Sequence, residues 1–218
     1  MINKLAIIGS TGSIGKNLLG VIRKDKKKFK IILLSANKNY STLYKQAVEF
    51  NVKNLIITDK KSFKILRNKT KKTNIKVFNS FDKLNTIFKK KIDYVMNSIT
   101  GIDGLYPSVK IIKYTKKIAI ANKESIVTGW NLILKELKKN KTMFIPVDSE
   151  HFSIWYGLKN LDRKSVEKIY LTASGGPFNK IPIKKFKSVT LHQALKHPNW
   201  KMGKKISVDS ATMINKIY

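Results

Sequence analysis

The 218-residue sequence contains no cysteine, an absence that removes disulfides, thiolate zinc sites and cysteine nucleophiles together. It fits a reducing compartment. Arginine is nearly missing as well: Arg23, Arg67 and Arg163 are the arginines among 45 basic residues, which face 13 acids for a formal charge of +32. Such an excess ordinarily points to nucleic acid or an anionic membrane. Lysine in place of arginine, with heavy use of Ile and Asn, instead reads as codon bias acting on solvated surfaces, because duplex readers favour the bidentate guanidinium. No specific nucleic-acid partner is expected. No apolar run approaches the roughly 18 residues of a membrane span, and Leu5 to Ile8 is too short for a signal-peptide core. A strand beginning almost at Met1 leaves no room for a cleavable leader, so a cytoplasmic protein with no membrane partner is expected.

What is present is an alternation. Short apolar runs at Leu5 to Ile8, Ile31 to Leu34, Leu55 to Ile57, Tyr94 to Met96, Ile118 to Ile120 and Met143 to Val147 read as buried strands. Between them, Ile14 to Arg23, Ser41 to Phe50, Leu105 to Tyr114 and Lys123 to Lys138 space apolar residues by three and four with lysines opposite, which predicts helices. Repeated βα units imply an α/β fold with a doubly wound parallel sheet and ligands at the carboxyl ends of its strands. After Val147 the rhythm stops, and Gly, Ser, Pro, His and Trp become frequent. A boundary is therefore expected there, between residues 1–147 and 148–218.

The first strand runs into Gly9-Ser10-Thr11-Gly12-Ser13-Ile14-Gly15 and then a helix, the context in which glycines let backbone N–H groups approach a pyrophosphate at the helix's positive end. The spacing is Gly-x-x-Gly-x-x-Gly rather than the commoner Gly-x-Gly-x-x-Gly. After the second strand, where an NAD site would place an acid on the ribose, stands Ser35-Ala36-Asn37-Lys38-Asn39. A lysine between amides suits a 2′-phosphate and favours NADPH. Further on, Asp148-Ser149-Glu150 follows the last strand, and in an extended segment its two carboxylates would project to one side and could share a hard cation. Taken alone, an Asp-x-Glu pair is as compatible with an ordinary surface.

In order along the chain come Asn122-Lys123-Glu124-Ser125, Val147-Asp148-Ser149-Glu150-His151, Ser174-Gly175-Gly176-Pro177-Phe178, His197-Pro198-Asn199-Trp200-Lys201-Met202-Gly203 and the stretch from Lys205 to Lys216. With the glycine turn in front, the chain closely resembles the 1-deoxy-D-xylulose 5-phosphate reductoisomerase family. The resemblance implies an oxidoreductase and isomerase of isoprenoid precursor synthesis that uses NADPH and a divalent metal, Mg2+ or Mn2+ with Co2+ a further candidate. It implies a Rossmann-like NADPH-binding domain over residues 1–147, the start of an α+β catalytic domain over 148–218, a sugar phosphate substrate and, in the full-length form, a homodimer.

The resemblance also implies roles. Thr11, Gly12, Ser13 and Ile14 would hold the pyrophosphate, Asn37, Lys38 and Asn39 the adenosine side, and Asn122, Glu124 and Gly203 would complete the cofactor site. Asp148 and Glu150 would be metal ligands, and Lys123, Asp148, Glu150 and His197 the catalytic groups. Lys123, Ser149, Glu150, Ser174, His197, Ser210, Asn215 and Lys216 would contact substrate, while Trp200 and Met202 would sit on a mobile flap. Hydroxyls, an amide and an ammonium are suitable donors to a phosphate dianion. Asn37 stands where relatives often have Gly, and Asn enters the left-handed region more readily than most residues. A third metal ligand, a Glu three residues after the lysine of the Asn215-Lys216 pair, would fall at position 219, so a fragment without turnover of its own is expected. Competing readings are another NADPH-dependent Rossmann-fold oxidoreductase, among which a semialdehyde dehydrogenase would need a cysteine, and a basic nucleic-acid-binding module, which would need clustered arginines.

Overall fold

In the computed structural model, which describes residues 2–199, 201 and 203–214, the apolar runs become strands of one sheet. The strands are β1 (Asn3–Ile8), β2 (Phe29–Ala36), β3 (Asn54–Ile57), β4 (Lys76–Phe78), β5 (Ile92–Asn97), β6 (Thr115–Ile120) and β7 (Met143–Pro146). They lie in the order β4-β3-β2-β1-β5-β6-β7, and each pairing is parallel. Successive side chains of a strand point to opposite faces. Thus Leu5 and Ile7 of β1 enter one core while Ala6 and Ile8 enter the other. Burial on both faces is why these strands read as unbroken apolar runs.

Helices cover both faces. Leu19 and Ile22 of α1 (Ser13–Lys24), Leu43 and Ala47 of α2 (Tyr40–Glu49) and Leu66 of α3 (Lys60–Thr70) pack into the core that holds Leu5 and Ile7. Leu84 of α4 (Leu84–Ile87), Ile111 of α5 (Leu105–Ile111) and Ile133 and Leu137 of α6 (Lys123–Asn140) fill the opposite core. The doubly wound sheet expected from the alternation is present, with α3, β4 and α4 as elements the periodicity did not announce. The direction of winding reverses at β1, which lies between β2 and β5. Ligands of such sheets sit outside the carboxyl ends of the strands at that reversal.

The chain divides into two compact units, Met1–Phe152 and Ser153–Tyr218, the first ending a few residues beyond the expected boundary at Val147. Helix α7 (Ser149–Gly157) begins before the division. The second unit contains 3-10 turns at Arg163–Ser165 and Ile183–Ser188 and two short helices, α8 (Leu191–Leu195) and α9 (Lys204–Ala211), with no strand among the described residues. Thr190 and Gln193 close a reciprocal cap at the start of α8. Among the described residues no helix is long and apolar enough to cross a membrane.

Candidate functional site

The glycine turn is built by close approach. Gly9 has φ +81°, and a Cβ there would stand 3.0 Å from the backbone of Ser98 and Ile99, just beyond β5. A Cβ on Gly15 would stand 2.6 Å from the Gly9 carbonyl oxygen and from Ser10 Cα, so α1 can lie against the end of β1 only with glycine at this position. Helix α1 starts on Gly12, which supplies no side-chain cap, and its first turn carries no acid. The leading N–H groups of a helix have no intrahelical partner and carry partial positive charge, so this end suits an anion. Thr11, Gly12, Ser13 and Ile14 all lie at it, half-buried or exposed.

Three further residues hold the turn, none of them singled out from the sequence. Ser35 Oγ accepts from Gly9 N–H at 3.0 Å, and the Ser35 carbonyl accepts from Ser10 N–H at 2.9 Å. The Ser98 hydroxyl donates to the Ile8 carbonyl at 2.8 Å. Gln46, on the buried face of α2, accepts from the Ser10 hydroxyl at 2.7 Å and donates to the Ser10 carbonyl at 2.9 Å. A polar residue inside the apolar stripe of α2 was the available signal. Gln46→Leu leaves a fully buried serine without two of its bonds. It should lower stability by about 1–3 kcal/mol in urea unfolding, and wild-type unfolding by this variant would rule the bracing role out.

Beside the turn lies a cavity of about 400 Å³ lined by Ser35, Ala36, Asn37, Thr58, Asn79, Ser80, Phe81, Ile99, Asp103, Tyr106 and Pro107. These residues end or follow β2, β3, β4 and β5, the carboxyl edge predicted for a ligand, and the volume is of ordinary ligand-pocket size. Asn37 donates to the Thr58 hydroxyl at 2.8 Å, and Asn39 caps α2 by accepting from Thr42 N–H. Asn37 is not left-handed; the non-glycine residues of positive φ among those described are Asn51, Lys141 and Met213. Its side chain ties two strand ends together, so no backbone freedom is needed. Lys38 is exposed, and with Lys61 it adds to the Ser62 hydrogen bonds that hold the Asp59 carboxyl below the ordinary carboxylate range. At the foot of α6, Asn122 accepts from Ser125 N–H and donates to the Ile99 carbonyl, while Glu124 occupies the first helical turn.

The extended geometry expected at 148–150 is not found. β7 ends at Pro146 and α7 begins at Ser149, with the Asp148 carbonyl accepting from Phe152 N–H at 2.8 Å. Acidic residues suit a helix start, and this preference wins over strand continuation. The carboxylates converge by another route, with Asp148 just ahead of the helix and Glu150 in its first turn. Lys123 Nζ contacts one Asp148 oxygen, and His151 Nδ1 lies 2.9 Å from the other. Burial pushes the Asp148 carboxyl up, but Lys123, Glu150 and His151 together outweigh burial and hold it well below the usual range. Glu150 accepts from the Ser149 hydroxyl at 2.8 Å. Among the described residues no group of three or more His, Asp or Glu is arranged to hold a metal.

In the second unit a separate polar cluster forms. Gly175 and Gly176 have φ +77° and +63°, and a Cβ on Gly176 would stand 2.5 Å from the Ser210 carbonyl oxygen, so the turn packs on the end of α9. That packing places Ser174 Oγ 3.1 Å from His197 Nε2 and 3.4 Å from Ser210 Oγ. Gly203 precedes α9, its carbonyl accepting from Ser207 N–H. Asn215, Lys216, Trp200 and Met202 lie outside the described residues.

Family models agree with both units: the model described as 1-deoxy-D-xylulose 5-phosphate reductoisomerase matches residues 5–129, and that of its C-terminal domain matches 144–218. The reductoisomerase of Pelagibacter ubique is 60% identical over 217 residues, covering 99% of this chain and 56% of that protein. That of a Wolbachia pipientis strain is 47% identical, covering 98% and 54%. The chain thus spans little more than half the length of these relatives. Among solved structures, the Zymomonas mobilis reductoisomerase in complex with NADPH superposes with a TM-score of 0.86 at 33% identity, covering 99% of this chain and 56% of that one. A reductoisomerase in complex with NADPH, fosmidomycin and magnesium superposes at 0.84 and 32%, with the same coverage. Neither a different Rossmann oxidoreductase nor a nucleic-acid module draws support from these matches.

Proposed function

The chain belongs to the 1-deoxy-D-xylulose 5-phosphate reductoisomerase family, and from that premise we propose that it carries the NADPH site and part of the metal and substrate sites of such an enzyme. The reaction proposed for the whole protein is the rearrangement of 1-deoxy-D-xylulose 5-phosphate and its reduction to 2-C-methyl-D-erythritol 4-phosphate. A cytoplasmic homodimer is part of the same proposal. The observation that carries it is the uncapped N-terminus of α1 opening beside a cavity at the carboxyl edge of the sheet. Backbone N–H groups at Ser13 and Ile14 would receive the pyrophosphate, with Thr11 and Gly12, whose own N–H donates to the Gly9 carbonyl at 3.1 Å, shaping the approach; the cavity would take the adenosine half, and Lys38 would meet the 2′-phosphate. Asp148 and Glu150 would hold the cation, with Lys123 balancing Asp148 and reaching substrate. Ser174, His197 and Ser210 would donate to the substrate phosphate. When bound, the cation polarises substrate oxygens as a Lewis acid and NADPH supplies hydride.

The cofactor reading is tested by fluorescence titration. NADPH should bind more tightly than NADH, and Lys38→Ala should weaken NADPH by about tenfold, the size of one charge-assisted bond, with NADH nearly unaffected. Equal affinities for the two cofactors in the wild type would remove the basis of the assignment.

A further inference from the structure

The sequence His197-Pro198-Asn199 folds so that Asn199 N–H donates to His197 Nδ1 at 3.1 Å. Pro198 fixes its own φ and so helps to set the turn that brings this amide over the ring. A backbone N–H can only donate, so the nitrogen it meets must offer a lone pair. A proton on Nδ1 would face another proton. The neutral ring then keeps its hydrogen on Nε2, which stands 3.1 Å from Ser174 Oγ. With that oxygen accepting from the imidazole, and from Gly176 N–H at 3.4 Å, the Ser174 hydroxyl proton is directed onward, toward Ser210 Oγ at 3.4 Å or toward a ligand oxygen.

We infer that the main-chain amide of Asn199 is a positioning group that holds His197 in its Nε2–H tautomer, so that His197, Ser174 and Ser210 present an array of donors to a phosphate dianion. The inference rests on reading the second unit as a sugar phosphate site. It assigns His197 a donor's work at Nε2 rather than a base's. The role belongs to the amide and not to the Asn199 side chain, so it is invisible to any comparison of side chains at this position.

The chain has three histidines, so its labelled imidazoles can be assigned by replacing His151 and His192 in turn. Long-range proton–nitrogen spectra of the 218-residue chain at neutral pH should show His197 with a bare Nδ1 and a protonated Nε2. Asn199→Pro deletes the donor; it should mix the two tautomers and weaken inorganic phosphate binding by about fivefold, the worth of one hydrogen bond. Asn199→Ala keeps the N–H and should leave both readings at wild-type values. A protonated Nδ1 in the wild type, or equal tautomer ratios in the proline and alanine variants, would overturn the inference. If the proline variant does not fold, the wild-type spectrum still decides. Should the tautomer be as stated while phosphate fails to move the His197 signals, the substrate-site reading fails and the tautomer assignment stands.

Discussion

Gly15→Ala should destabilise the first unit by about 2–4 kcal/mol, since forced overpacking of one added carbon commonly costs 1–3 kcal/mol and here the obstacle is main chain. For a unit of this size that is a fall of roughly 5–15 °C in the unfolding midpoint. The reason is distance: the new Cβ would meet the Gly9 carbonyl oxygen and Ser10 Cα at 2.6 Å, and neither can rotate away as a side chain would. Helix α1 must lift from β1, and the N–H groups at its start lose their aim, so NADPH binding should fall by at least about a hundredfold. Gly12→Ala is the comparison. Its Cβ would meet the same carbonyl oxygen at 3.4 Å, an ordinary contact, and its φ of −76° suits any residue. It should melt close to wild type. A Gly15→Ala protein with an unchanged melt and unchanged cofactor affinity would show that the turn is neither tight nor the cradle.

Asp148→Asn should weaken Mn2+ binding, read by titration against the metal's paramagnetic signal, by about a hundredfold or more, given that even partners one step removed from a metal are worth ten- to hundredfold. It should also destabilise the fold near neutrality by about 1–3 kcal/mol, because the ion pair of Lys123 and Asp148 leaves the two side chains only 22% and 20% exposed. The pH dependence has a definite sign. The Asp148 carboxyl is held below its unfolded range, so its contribution is fully present above about pH 4 and is lost as pH falls further toward the folded-state value. Acid titration of stability should therefore be shallower in Asp148→Asn than in the wild type below pH 4. Parallel acid limbs, or metal affinity retained in the variant, would show that the carboxylate is not coupled to Lys123 or to the cation.

Where the sequence was legible, it was legible through repetition. Leu5 to Ile8 and Ile118 to Ile120 announce central strands because both of their faces are buried, and the glycine turn announces a close approach that only hydrogen can occupy. Helix α3 was missed because Lys60, Lys61, Lys64 and Lys69 surround a narrow stripe of Phe63 and Leu66, and β4 because three residues cannot display a period. The Asp148 and Glu150 pair does not have the extended geometry that its spacing suggests. Alternation along a strand does not continue past Pro146: a helix starts three residues later, with Asp148 just ahead of it and Glu150 in its first turn. The bracing of the turn by Ser35, Gln46 and Ser98 is invisible in the sequence because bonds to main-chain atoms across 26, 36 and 90 residues leave no local pattern.

The place of β1 in the sheet has a consequence for how the chain is made. It is the first of the sheet's seven strands in chain order, yet it is central, paired with β2 on one edge and with β5, which begins at Ile92, on the other. At 5–20 residues per second, the 83 residues between β1 and β5 take on the order of 4–17 s to appear. Throughout that interval Leu5 to Ile8 present an unpaired apolar edge of the kind that recruits strands from neighbouring chains. The segment being synthesised in the meantime includes Lys24 to Lys30 and Lys89 to Lys91, and like charge of this kind opposes the close approach of a second copy. Replacing those tracts by neutral residues should therefore lower the yield of soluble protein before it lowers the stability of the folded chain.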